Sequence, residues 1–351
     1  MRRAIVSHSF HTRLSFRHRG GLLAACAAIA LCVTCGSRAL LAGEDELPTA
    51  DPSGMEQRDA DAAGNQVWLV STRAAELHSA DPELGLRYWR YEAGAWRSAS
   101  RDDLLFSAAP NMPTAIYLHG NRINSPQSCC DGWRIYRSFA RQAPGERPFR
   151  FVIWSWPSTK IDGEVRDVRV KSLRSDSQAY YLAWLVDQLP PDEQVGLIGY
   201  SYGARIVSGA LHILGGGEVS GRGLPERVHP DRRPLGGVLL AGALDSDWLA
   251  PGQRHGQALT QVDRLLITSN ASDPVVRWYP FLYGLGSDRE ALGYKGAAGL
   301  HRWGEASAAV RELDVSGCVG AEHDWTRYML QPALVAEMLP YALGEASSAA
   351  E

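Results

Sequence analysis

The chain has 351 residues, 45% hydrophobic and 21% charged, enough for a large buried core in one generous domain. Its formal charge is −3, from 36 basic and 39 acidic residues, and nothing in that balance favours nucleic acid or an anionic membrane surface as a partner. Among Cys129, Cys130 and Cys318 no metal-ligand spacing appears, which argues against a zinc site built on them.

At the N-terminus Arg2, Arg3, Arg13, Arg17 and Arg19 precede the apolar stretch GLLAACAAIALCVTC, and no acidic residue occurs before Glu44. This is the layout of a signal peptide, read here as residues 1–42. The apolar run is about 15 residues, short of the ~20 that cross a bilayer as a helix, and the small residues Ala39 and Ala42 suit cleavage. The expectation is export to the periplasm or beyond, with no stable membrane span in the mature protein. The alternative is an N-terminal membrane anchor, including lipidation at Cys35, although Cys32 sits where a lipobox wants Leu or Val. Cleavage removes six arginines and no acid, leaving 30 basic against 39 acidic residues and a formal charge of −9. It also removes Cys26, Cys32 and Cys35. In an oxidising compartment Cys318 can bridge Cys129 or Cys130, since neighbouring cysteines rarely bridge each other; three free thiols are the alternative.

Residues 43–65 are polar, acidic and rich in Ala, Asp and Gly, and read as a flexible linker. The folded domain, residues 66–345, opens with QVWLVST and then LRYWRYEAGAWRSAS, whose alternation about Ala93 and Gly94 predicts a hairpin. Strand and helix then alternate. The strands are TAIYLHG, FRFVIWSW, QVGLIGYS, LGGVLLAGA, VDRLLITSN and VRELDVSG. The helices are expected near Gly132–Gln142, near Leu173–Leu189, over Tyr202–Leu214 and, to close, over Trp325–Leu343. Such alternation argues for an α/β fold: a mostly parallel central sheet with helices on both faces and antiparallel strands at the N-terminal edge. A Gly/Pro/Arg-rich excursion after Leu214 reads as a surface loop. An aromatic-rich insertion near 278–304, with Trp278, Tyr279, Phe281, Tyr283 and Trp303, either shapes a pocket or simply packs. Residues 346–351 form a tail.

The stretch VGLIGYSYGARIV carries the chemistry. G-x-S-x-G becomes informative where it ends a strand and opens a helix; VGLIG is a buried-strand run, and Val207, Ala210, Leu211 and Leu214 recur at helical spacing after it. A serine in so sharp a bend needs tiny residues two positions to either side, and Gly199 and Gly203 supply them. Ser201 is thus a candidate nucleophile, which requires a histidine base and an acid to orient it. His323, between the final strand and the final helix, is the expected base. His301 is the runner-up, while His212 and His229 read as helix and loop residues. Asp273, just beyond a strand, is the expected acid, with Asp245 and Asp247 as fallback; an aspartate before proline is also a common cap or turn residue. The expected oxyanion donors are the backbone N–H groups of Tyr202 and, from the HGN loop, Asn121. His119 reads as structural.

These residues resemble the α/β-hydrolase superfamily, in its branch of serine esterases and lipase-like proteins. The resemblance covers about Val67 to Leu343 and rests on HGN, WSWPS, GYSYG and the Asp273 and His323 loops, in the chain order Ser, Asp, His. FVIWSWPS, followed by a tyrosine-containing helix and the elbow, is similar to a group of bacterial α/β-hydrolases whose function is largely undefined. The resemblance implies the fold and the triad without naming a substrate; Tyr200 departs from the His that many lipases carry before the nucleophile. The combined expectation is an exported serine hydrolase acting on a small-molecule or lipid ester without a cofactor. The alternative is a non-catalytic binding protein of the same fold.

Overall fold

The computed structural model describes residues 64–79, 81–143, 147–224, 226–227, 235–280 and 289–344. The expected signal peptide, all of the linker but its last two residues, the tail, His229, Phe281 and Tyr283 lie outside the described residues. Asn65, at the expected linker's end, already belongs to the fold: its side chain accepts from the Phe149 amide at 3.0 Å and donates to the Tyr136 hydroxyl at 3.1 Å.

Nine strands form one sheet: β1 Gln66–Ser71, β2 Arg87–Glu92, β3 Ala95–Ala99, β4 Thr114–Leu118, β5 Arg150–Ser155, β6 Val195–Tyr200, β7 Leu235–Leu240, β8 Arg264–Ser269 and β9 Val310–Asp314. Their order is β3-β2-β1-β5-β4-β6-β7-β8-β9. Only β1–β2 and β2–β3 pair antiparallel, and every other pair is parallel. The β2–β3 hairpin turns at Ala93 and Gly94, both at positive φ (48° and 80°), as a two-residue turn matched to strand twist requires. The fold class read from the sequence is the one observed.

Strands β4 to β7 are buried along their whole length, which is why they read as continuous apolar runs rather than as alternation. Successive residues feed two separate cores. Ile116 and Leu118 pack on one face with Leu182 and Leu185 of α2 (Glu164–Gln188) and Val207 and Leu211 of α3 (Tyr202–Leu214). Ala115 and Tyr117 pack on the other face with Ile135 and Phe139 of α1 (Ser125–Gln142) and Val335 and Met338 of α4 (Pro332–Leu343).

Three helix expectations need correction. Helix α1 begins at Ser125, because Asn124 and Gln127 form a reciprocal capping box around Pro126 in the first turn. Helix α2 begins at Glu164, since its first turns bury Asp167 and Lys171 against each other, so apolar periodicity is missing there. The closing helix is two pieces, Trp325–Met329 and α4: Pro332 serves as a first-turn residue of α4 and lacks the N–H a continuous helix would use. The three described cysteines are free, Cys129 buried and Cys130 and Cys318 exposed, so the bridge between the α1 segment and the histidine loop is not formed. Tyr279 and Trp303 pack into the core beside α3, and this part of the aromatic insertion serves packing.

Candidate active site

In a parallel sheet every strand-to-helix loop leaves from the same edge, which collects residues distant in sequence. Asn121 follows β4, Ser201 follows β6, Asp273 follows β8 and His323 follows β9.

Ser201 stands between the last residue of β6 and the first of α3 with φ 55° and ψ −112°, a conformation costly for any residue with a Cβ. The bend is fixed from both sides. The Ser201 amide donates to the Leu240 carbonyl at 2.8 Å, and its carbonyl accepts from the amides of Ala204 at 3.1 Å and Ala243 at 3.2 Å. Gly203 makes the bend possible: a Cβ there would run into the Leu118 carbonyl at the end of β4. Ser201 and the first turn of α3 therefore sit directly against β4 and the loop that leaves it.

The imidazole of His323 lies between the other two residues, with Nε2 3.1 Å from Ser201 Oγ and Nδ1 2.7 Å from Asp273 Oδ2. A carboxylate only accepts, so Nδ1 carries the proton and Nε2 presents its lone pair to the serine hydroxyl. Asp273 is fully buried, and its second oxygen is also used: Oδ1 caps the short helix Pro274–Arg277, accepting from the amides of Val275 at 2.9 Å and Val276 at 3.4 Å. One carboxylate oxygen thus meets the imidazole and the other caps a helix. Tyr200 packs its ring 5.2 Å from the imidazole at 36°, covering one face of it. Burial, then the nearby Asp273 carboxylate, push the Tyr200 phenol well above its usual range, so it stays neutral.

The loop after β4 lies against the serine, since a Cβ on Gly120 would stand 3.1 Å from the Tyr200 ring and 3.3 Å from Ser201 Cβ. Asn121 is next in the chain, and Tyr202 opens α3 directly after Ser201. The first amides of a helix have no intrahelical acceptor, so donors and partial positive charge gather on this side. His119 is structural, as read. Its Nε2 accepts from the Trp156 amide at 3.2 Å, its Nδ1 lies 2.9 Å from the Gly120 carbonyl, and its ring stacks on Trp156 at 5.6 Å. Burial, reinforced by Arg73, pushes its imidazole down to about 3.

The remaining candidates lie apart from this cluster. His301 is exposed on the turn Leu300–Arg302. His212, near the end of α3, accepts from the Gln257 amide at 3.0 Å. Asp245 pairs with Arg289 at 3.1 Å, and with Asp247 and Trp248 it lines a separate cavity of about 260 Å³. Among the described residues no group of three or more His, Cys, Asp and Glu is arranged to hold a metal ion.

Asn270 went unread in the sequence. It is fully buried three residues before Asp273; its Oδ1 accepts from the Ser272 amide at 3.0 Å and its Nδ2 donates to the Gly320 carbonyl at 2.8 Å. It therefore ties the acid loop to the turn that leads into His323. The available signal was only an Asn in a turn-rich stretch, which any Asx turn would equally explain. Asp324 caps the helix after His323, accepting from the Thr326 amide at 2.9 Å.

No family model matches the chain, and no curated protein matches it. Among solved structures it is similar to esterase B from Lactobacillus rhamnosis, inhibited by a C4-C4 SN3 tributyrin phosphonate, at 13% sequence identity over 80% of this chain and 88% of that one. The TM-score is 0.35, a likeness too loose to decide any chemistry.

Proposed function

We propose that the chain is a serine hydrolase that cleaves carboxylic esters through an acyl-enzyme, with Ser201 as nucleophile, His323 as base and Asp273 as the orienting acid. One observation carries the reading: a hydrogen-bonded line from Asp273 through His323 to a serine held at φ 55° between a strand and a helix. Ser201 Oγ attacks the ester carbonyl while His323 Nε2 takes its proton, and the buried Asp273 carboxylate holds the imidazolium that forms. The carbonyl oxygen, now an oxyanion, accepts from the Tyr202 and Asn121 amides. Collapse breaks the bond to the alcohol, which leaves with the proton from His323. Water, deprotonated by the same nitrogen, then attacks the acyl-serine, and the acid is released with Ser201 restored.

A fluorophosphonate probe tests the assignment. Labelling of wild type that is lost in Ser201→Ala is the expected result; a folded wild type that never labels would make the chain a non-catalytic ligand- or partner-binding protein. Hydrolysis of p-nitrophenyl esters of rising chain length then ranks acyl groups. We also infer export, supported by five arginines ahead of a short apolar run in a segment without acids. N-terminal sequencing of protein from the periplasm or medium should begin near Gly43, and an intact N-terminus in the membrane fraction would point to an anchor. Among the described residues no helix is long and apolar enough to cross a membrane.

A further inference from the structure

The first turns of α2 hold a buried carboxylate that the triad does not use. The side chains of Asp167 and Lys171 are inaccessible to solvent, and that of Arg122 is partly buried. Four donors converge on Asp167. Its Oδ2 accepts from Asn121 Nδ2 and from Arg122 Nε, each at 3.0 Å, and its Oδ1 accepts from the Ile161 amide and from Lys171 Nζ, each at 3.0 Å. The Arg122 guanidinium also pairs with Glu164, and Lys171 Nζ donates to the Thr159 carbonyl at 2.6 Å.

The contacts from Oδ2 fall on the loop that lies against the nucleophile. Within that loop Asn121 Oδ1 accepts from the Arg122 amide at 2.8 Å, and the same amide donates to the Ser158 carbonyl at 2.8 Å. Arg122 is held at φ 63°, a left-handed conformation that an arginine keeps only where its surroundings impose it. The Asn121 side chain is thus bonded at both ends, oxygen inward to the loop and nitrogen to the carboxylate. A buried acid with this many donors is expensive to assemble. Burial opposes ionisation of Asp167, but the hydrogen bonds from Lys171, Arg122 and the Ile161 amide outweigh it and hold the carboxyl below its usual range.

We propose that Asp167 is a positioning residue for the oxyanion site: through Asn121 and Arg122 it fixes the loop that presents the Asn121 amide beside Ser201. This rests on the hydrolase reading above. Asp167 touches no reacting atom. Its effect is transmitted by holding one donor within a fraction of an ångström of the position the oxyanion will occupy, where a displacement of about 1 Å lowers the rate about a hundredfold. The donor matters in the transition state and not in the ground-state complex, so its loss should appear in kcat with KM little changed.

The experiment measures p-nitrophenyl ester hydrolysis by the full-length exported protein, with kcat expressed per fluorophosphonate-titrated serine so that unfolded protein does not count. Asn121→Ala and Asp167→Asn should each lower kcat by roughly 10- to 100-fold with KM within about twofold, and should slow fluorophosphonate labelling in parallel. Because they act through one loop, the double variant should fall no further than the worse single variant. Asp167→Asn leaves Lys171 and Arg122 without their shared counter-charge; if it does not fold, Asn121→Ala, which keeps that ion pair intact, decides alone. Values of kcat within about threefold of wild type in a folded Asn121→Ala overturn the inference while leaving the hydrolase reading in place. A folded wild type that shows no Ser201-dependent labelling overturns the hydrolase reading, and this inference with it.

Discussion

Replacing Asp273 by asparagine separates the two duties that the residue performs. Its Oδ2 accepts from His323 Nδ1 at 2.7 Å, while Oδ1 caps Pro274–Arg277. An asparagine has one oxygen and one NH2 group for these two places. If the oxygen keeps the cap, the NH2 faces Nδ1, which must then accept; the ring proton moves to Nε2, pointing at Ser201, and the base can no longer take the hydroxyl proton. If the amide flips to serve the imidazole, the NH2 faces the amides of Val275 and Val276, donor against donor, and the cap worth about 1 kcal/mol is lost. The first arrangement wins on these terms. Asp273→Asn should therefore melt close to wild type and lose about 10³–10⁴-fold in kcat, or about 4–5 kcal/mol of transition-state stabilisation. Asp273→Ala should lose the activity and the cap together. Steady-state ester hydrolysis beside a thermal melt reads both. A normally melting Asp273→Asn that keeps kcat within about tenfold of wild type would refute the assigned roles of Asp273 and His323.

At Ser201, with φ 55° and ψ −112°, a Cβ is strained, so Ser201→Gly should be more stable than Ser201→Ala by about 1 kcal/mol in a denaturant melt, both being inactive. Gly203→Ala should fold poorly or not at all, a loss of about 3 kcal/mol or more by chemical denaturation, because the new methyl meets the Leu118 backbone carbonyl, which has no freedom to yield. Burial, eased in part by Arg134 and Trp325, raises Asp131 to about 6. An acid whose folded pKa exceeds its unfolded value binds its proton more tightly when folded, so the wild type loses stability as pH climbs from about 4 to about 6. Asp131→Asn should match it near pH 4 and exceed it at pH 8 by up to about 3 kcal/mol in urea melts at the two pH values.

The parts of the molecule that were legible in the sequence are those whose cause is local. The run VGLIG, the fence of Gly199 and Gly203 and the spacing of Val207, Ala210, Leu211 and Leu214 all act within one turn of Ser201, and β6 and α3 fall within a residue of the expected limits. The cap at Asp273 was readable for the same reason, since an aspartate before proline is a local helix-start signal. What was not legible depends on partners elsewhere in the chain. The first three turns of α2 look like a solvated face because, Val168 apart, the residues they bury are Asp167 and Lys171, which only their hydrogen bonds distinguish from surface residues. Asn270 is similar, an ordinary turn residue until Gly320 arrives from 50 positions away. The early start of α1 is a different case: N-S-P-Q carried both halves of a capping box, but apolar periodicity begins about two turns later and set the expected limit instead.

The site's location follows from how a parallel sheet spends chain length. Register pairs Leu118 with Gly199, Tyr200 with Leu240 and Ser269 with Asp314, so the loops after β4, β6, β7, β8 and β9 leave the sheet at nearly one level. Asn121 therefore lies only three residues beyond the end of β4, the strand adjacent to β6. His323 has a harder path, because β9 lies three strands from β6, a span of about 14 Å. The chain covers it in the residues between Asp314 and His323, folding first into the turn Ser316–Val319 and then returning over β8. Two bonds from the β8 loop guide that return: the Ala271 amide donates to Ser316 Oγ at 3.0 Å, and Asn270 Nδ2 donates to the Gly320 carbonyl at 2.8 Å. The loop that supplies the acid is thus also the support over which the base is carried. The geometry of Asp273 and His323 is set by one rigid piece of backbone, and the imidazole can meet a serine three strands away without a dedicated element to hold it there.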